Sequence, residues 1–155
     1  MTQVIKPQTT TLYDRDLALW IKGTIGQLKA RNFEELDIEN LIEELECLAR
    51  RDRRELESSI ATLLEHLLKR CYVKSEYDYN GWEETIERSR FEIKQLLKQS
   101  PSLKCHANNP ELFEELYRYS LRILRKNTDY NRLNFPETWQ FSQAIDDLLN
   151  VNFWE

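Results

Sequence analysis

The sequence contains only three glycines and four prolines in 155 residues. A β-rich chain of this size needs many more turn residues, so their scarcity argues against a sandwich or barrel and favours long helices. No run approaches the roughly eighteen consecutive apolar residues of a membrane-spanning helix, so no membrane partner is expected. The opening stretch is polar, without the apolar core of a secretory signal, and reads as a flexible N-terminal segment over residues 1–11. Cysteine is rare as well. Cys47, Cys71 and Cys105 are odd in number and far apart, which suits reduced thiols and predicts a cytoplasmic location. Also missing are a G-x-S-x-G elbow, a Gly-rich phosphate loop and a Cys-x-x-Cys pair, so no cofactor is expected. Acidic side chains outnumber basic ones by 27 to 22, a net charge of −5 that disfavours a general polyanion binder.

What the chain does contain is helical periodicity. Leu12 to Ala30 reads as one helix, with Thr11 and Asp14 as a capping pair and Tyr13, Leu17, Trp20, Ile21, Thr24, Ile25 and Leu28 as its apolar stripe. Gly23 and Gly26 cost about 1 kcal/mol each relative to alanine, a cost that predicts close approach of another helix. Asn32 marks the stop. Asp37 is an N-cap for the next element, whose two apolar faces, Ile38 to Ala49 and Leu56 to Cys71, are in phase. No glycine or proline lies between Asp37 and Tyr72. This favours one helix of about 35 residues, on the order of 50 Å long, over two helices broken near Arg50–Arg54. Asn80-Gly81 reads as the end of a connection, followed by a helix through Trp82, Ile86, Ser89 or Arg90, Ile93, Leu96 and Leu97. Asn109-Pro110 opens another helix reaching about Lys126, and a short last helix covers about Ser142–Asn150.

Three groups of residues are candidates for function. Glu39, Glu43 and Glu46 fall within about 60° of one another on their helix, and clustered carboxylates joined by a histidine such as His66 can hold a metal. In a continuous helix, however, Glu46 and His66 lie about 30 Å apart along the axis, and a solvated charged flank is the simpler reading. His106, beside Cys105, makes a poor site by itself. Arg50, Arg51, Arg53 and Arg54 could meet phosphates, although carboxylates four residues away on the same helix compete for them. Arg118, Arg122, Arg125 and Lys126 suit the negative end of their helix dipole. Trp139, Phe141, Phe153 and Trp154 form an aromatic tail that must dock, either on this chain's own core or on a partner.

Several blocks resemble the opening and middle of the bacterial proteins grouped as domain-of-unknown-function family 29. They are Leu12-Tyr13-Asp14-Arg15-Asp16, Trp20, the run from Phe33 to Glu46, Arg53 to Ser58, Leu63 to Lys69, Trp82 and Ser100 to Leu103. The resemblance covers about Leu12 to Trp154. It implies a short, cytoplasmic, helical protein, and it carries no catalytic residues across. The resulting expectation is an all-α, single-domain helical bundle over residues 1–155, of about five helices around one long central helix. Its expected role is a non-catalytic interaction or oligomerisation module, whose partner is another protein or a second copy. The alternatives are a metal-binding protein or enzyme using the carboxylate–histidine group, or weak nucleic-acid binding through the arginine run.

Overall fold

The computed structural model describes residues 11–155, so the expected flexible segment lies, apart from Thr11, outside the described residues. The helices are α1 (Leu12–Arg15), α2 (Leu17–Lys29), α3 (Ile38–Tyr72), α4 (Glu76–Gln99), α5 (Leu103–Ala107), α6 (Pro110–Lys126) and α7 (Ile145–Asn150). A 3₁₀ turn, Phe33–Glu35, lies between α2 and α3, and no strand occurs among the described residues. The fold class is therefore all-α, as the periodicity indicates.

Local chemistry explains where these helices start and stop. The Thr11 hydroxyl accepts from the Asp14 amide at 3.4 Å and donates to its carboxylate at 2.9 Å, which is the expected capping pair. The single helix expected over Leu12–Ala30 is nonetheless split. Asp16 leaves helical geometry (φ −150°, ψ 87°) because its carboxylate turns to accept the Leu19 amide at 3.0 Å and caps α2. The C-terminus of α2 is a Schellman motif, with Asn32 N–H bonded to Gln27 C=O at 2.9 Å and Arg31 N–H to Leu28 C=O at 3.1 Å. That motif requires a left-handed residue, and Arg31 supplies it at φ 56°, where glycine is the unstrained choice.

Helix α3 is continuous, so the break near Arg50–Arg54 does not occur. Asp37 caps it, accepting the Asn40 amide at 3.3 Å. The Asn80-Gly81 turn is also absent, because α4 already begins at Glu76. Here packing overrides turn propensity. Tyr79 and Trp82 stack one helical turn apart with ring centroids 6.0 Å from each other, and the Arg70 guanidinium sits 3.8 Å over the Tyr79 ring. Pro110 occupies the first turn of α6 and the Asn109 side chain caps it, as expected. Splitting the first helix and adding α5 raises the helix count from about five to seven among the described residues.

The chain divides into two compact units, Met1–Ala49 and Arg50–Glu155, with the division falling inside α3. In the C-terminal unit, Leu56, Leu63, Leu64, Leu67 and Leu68 of α3 are fully buried together with Ile86 and Ile93 of α4, Leu124 of α6, and Ile145 and Leu148 of α7. Ser120 of α6 donates to the Ala61 carbonyl at 3.1 Å, which fixes α6 against α3. The N-terminal unit is built differently. Tyr13 and Trp20 meet edge to face at 4.9 Å, and the Tyr13 hydroxyl donates to Glu44 at 2.6 Å. The hydrogen bond to Glu44 holds the Tyr13 phenol up at about 12. Trp20 and Thr24 are buried, yet Leu17, Ile21, Ile25 and Leu28 of the same stripe are 39–46% exposed. The close helix approach expected at Gly23 and Gly26 is absent, since a Cβ at either would meet nothing within 4 Å. Both glycines lie on an open side of α2.

Arg31→Gly should relieve the left-handed strain and stabilise the N-terminal unit by about 1 kcal/mol. Slower hydrogen exchange of the α2 amides in the variant would bear this out, and faster exchange would refute it.

Candidate functional site

The carboxylate–histidine group is not assembled. Glu39, Glu43 and Glu46 belong to the N-terminal unit, and His66 to the C-terminal one. Among the described residues, no three His, Cys, Asp or Glu side chains are grouped so as to hold a metal ion. His66 turns its Nδ1 to the Thr62 carbonyl at 2.9 Å, and burial holds its pKa below the usual 6.5. Lys69 pushes in the same direction, while the Thr62 carbonyl and Glu65 oppose it. His66 is thus a half-buried helix histidine fastened to its own backbone. His106, which looks isolated in sequence, meets Glu57 at 2.9 Å across a separation of 49 residues.

Of the arginine run, Arg51, Arg53 and Arg54 are exposed on α3. Arg54 lines an open groove of about 420 Å³ between α3 and α6, whose floor is Ala61 and Leu116 and whose wall carries Glu57, Glu65 and Glu115. Carboxylates outnumber the cation there, the reverse of what a phosphate needs. The basic group late in α6 is partly consumed by ion pairs, Arg118 with Glu114 and Arg125 with Glu137 at 2.6 Å.

The aromatic tail packs on this chain's own core. Trp139 is 7% exposed and its indole N–H donates to the Ser142 carbonyl at 3.0 Å. Phe141 and Phe153 approach its ring edge to face at 5.2 and 5.5 Å, and the Phe113 and Tyr117 rings lie 6.3 and 6.1 Å from it. Trp154 is partly buried, with the Arg70 guanidinium 5.1 Å from its ring. The residue that fastens this ending is Arg90, which is only 3% exposed. Its guanidinium donates to the Leu148 carbonyl at 3.0 Å, the Val151 carbonyl at 2.5 Å, and the side chains of Asn152 and Glu87 at 3.0 Å each. Two of these acceptors lie at the C-terminal end of α7, where carbonyls lack helical partners and a cation complements the dipole. No short-range pattern announces this role, because the partners are about sixty residues away.

Exposed apolar side chains such as Phe91 and Tyr119 stand on the C-terminal unit, but those that recur at helical spacing along one stripe lie on the N-terminal unit. Ile38, Ile42, Leu45 and Leu48 on α3 are 50–59% exposed, and Leu17, Ile21, Ile25 and Leu28 on α2 are 39–46% exposed. The spacing of the α3 residues places them on one apolar face, as expected, but nothing within the described chain covers it.

The fold and its surfaces therefore define an all-helical protein with a closed C-terminal core and an uncovered apolar helix pair. The chain belongs to the family described as domain of unknown function DUF29, which it matches over residues 12–154. No curated protein and no solved structure matches it. No helix among the described residues is long and apolar enough to cross a membrane.

Two measurements test this description. Arg90→Met should lower stability in urea unfolding by about 2–4 kcal/mol, since two backbone carbonyls lose a buried charged donor; a change within about 0.5 kcal/mol would refute the clamp. His66 titrates lower when folded than when unfolded, so the unfolded chain binds its proton more readily. Its contribution to stability is therefore complete above 6.5 and is lost as pH falls through 6.5 toward the lower folded value. The unfolding midpoint should drop between about pH 7 and pH 5, and His66→Gln should flatten that drop. An unchanged slope in the variant would contradict it.

Proposed function

We propose that this chain is a helical protein-interaction module that docks through the apolar face of its N-terminal unit. One observation carries the reading. The stripe of α3 that is fully buried at Leu56 and Leu63 continues in phase through Leu45, Ile42 and Ile38, where it is half exposed. Isolated exposed leucines are ordinary, but a contiguous apolar face marks an interaction surface. The eight exposed side chains of the two stripes present roughly 700 Å², taking somewhat under 200 Å² for a fully exposed residue of that size, which exceeds the ~300–600 Å² largest patch of a typical monomer. At about 25 cal/mol per Å² this much apolar surface carries a gross transfer cost on the order of 17 kcal/mol, of which a covering partner keeps only what remains after the entropy of association.

The role proposed is non-catalytic, and each histidine is held by a neighbouring group. His66 bonds its own helix and His106 bonds Glu57. A reducing, cytoplasmic setting also suits the chain, since Cys47, Cys71 and Cys105 form no disulfide among the described residues.

The test is a photo-crosslinking amino acid placed at position 45 and, as a control, at Arg88, an exposed residue of α4 paired with Glu84. In the native cell, position 45 should give discrete higher-mass adducts and position 88 none. An absence of adducts at 45, or equal labelling at both positions, would remove the reading.

A further inference from the structure

The two helices of the N-terminal unit differ in charge. Between Leu17 and Lys29, α2 carries Lys22 and Lys29 and no acidic residue, whereas α3 from Ile38 to Ala49 carries Glu39, Glu43, Glu44 and Glu46 and no basic one. Both helices also carry their exposed stripe on the same side of the pair. At 100° per residue, Leu17, Ile21, Ile25 and Leu28 average about 75° around α2 from its buried side at Trp20 and Thr24. The exposed stripe of α3 is displaced by about 115°, in the same rotational sense, from its half-buried side at Asn40, Leu41, Glu44 and Cys47. The chain reverses between the two helices, so that Tyr13, ahead of α2, reaches Glu44 in α3. In an antiparallel pair, offsets of the same sense turn both stripes toward one face.

We infer that the occupant of this face is a second copy of the chain, docked about a twofold axis that runs along the helices and stacks α2 of each copy on α3 of the other. This rests on the reading of the N-terminal face as a docking surface. Two arguments carry it from a surface to an occupant. The first is area. The roughly 700 Å² of exposed stripe is close to the ~800 Å² that each partner contributes to an interface of standard size. A twofold contact also requires one self-complementary patch rather than two different ones. The second is charge. A two-helix layer can face itself across a twofold axis in two ways. One stacks α2 on α2 and α3 on α3, opposing lysines to lysines and glutamates to glutamates. The other stacks α2 on α3 twice, opposing cationic to anionic helix on both sides. Charge selects the second arrangement, in which four apolar stripes close into a four-helix core with ion pairs at its rim.

Sedimentation velocity of the full chain over a dilution series tests this. The expected result is twice the 18.7 kDa chain mass at the higher concentrations, falling to one on dilution. Leu45→Glu, at a position 59% exposed and outside the C-terminal core, should weaken association by about 30-fold or more without loss of the helical circular dichroism. If that variant loses helicity, Ile42→Glu takes its place. The stacking has its own signature. Lys22→Glu with Lys29→Glu should weaken self-association, as should Glu39→Lys with Glu46→Lys. An equimolar mixture of the two double variants should recover the dimer, because each heterodimer contains one native and one reversed pair of helices.

A chain that stays monomeric at every concentration overturns the inference. So does a dimer that ignores Leu45→Glu, since its interface would lie elsewhere. A dimer broken by Leu45→Glu, whose charge-reversed variants fail to rescue each other, overturns the α2-on-α3 stacking. The crosslink at position 45 separates these failures from that of the broader reading. A monomer that crosslinks there to a different protein loses the second copy but keeps the docking surface; a monomer without adducts loses both.

Discussion

Ile38 and Leu56 lie eighteen residues apart on α3, five full turns and therefore one line along the helix. Leu56 has no exposed surface and Ile38 is half exposed. Everything else in the protein follows from that line of apolar residues and from how much of it finds cover. From Leu56 onward it is the spine against which α4, α6 and α7 pack. Before Leu56 the same line, at Ile38, Ile42, Leu45 and Leu48, is half exposed, and α2 buries only Trp20 and Thr24 of its own stripe. Helix α3 itself is indifferent to the change, since good helix formers fill Leu48 to Glu57 and no glycine or proline interrupts them.

The C-terminal unit closes its core with polar chemistry as well as apolar packing. Arg90 is a buried cation satisfied by carbonyls at the end of α7 and by the side chains of Asn152 and Glu87. Among the described residues no buried side-chain donor or acceptor lacks a partner. An apolar residue of matching shape would leave these carbonyls without their donor, so the buried guanidinium ties the last segment to α4. With the carbonyls of Leu148 and Val151 held, Phe153 and Trp154 are delivered to the Trp139 and Arg70 sides of the core. The aromatic ending thus belongs to the internal architecture, and the exposed apolar surface that distinguishes this protein lies at the opposite end of the sequence.

The candidate sites show where short-range reasoning holds and where it fails. Capping by Thr11, Asp37 and Asn109 was legible because each cap bonds an amide two or three residues away. The continuity of α3 was legible from phase and composition. The turn at Asn80-Gly81 was misread, because Tyr79 and Trp82 gain more from packing than the dipeptide gains from turning. The break at Asp16 was missed, since one aspartate can serve either as a first-turn charge or as a new cap. Glu57 with His106, and Arg90 with Leu148 and Val151, had no sequence signal, because each joins residues 49 or more positions apart.

The sequence by itself determined the fold class, the helix ends held by local caps, the phase of the long helix and the membership of its apolar stripe. All of these rest on interactions within a few residues, where spacing and side-chain type carry the information. The tertiary structure decided which part of that stripe is covered. Burial is a property of neighbours distant in the chain, and the same apolar spacing is core from Leu56 onward and exposed from Ile38 to Leu48. It also decided that the aromatic ending is internal, because only folding brings Arg90 within reach of the carbonyls that hold it.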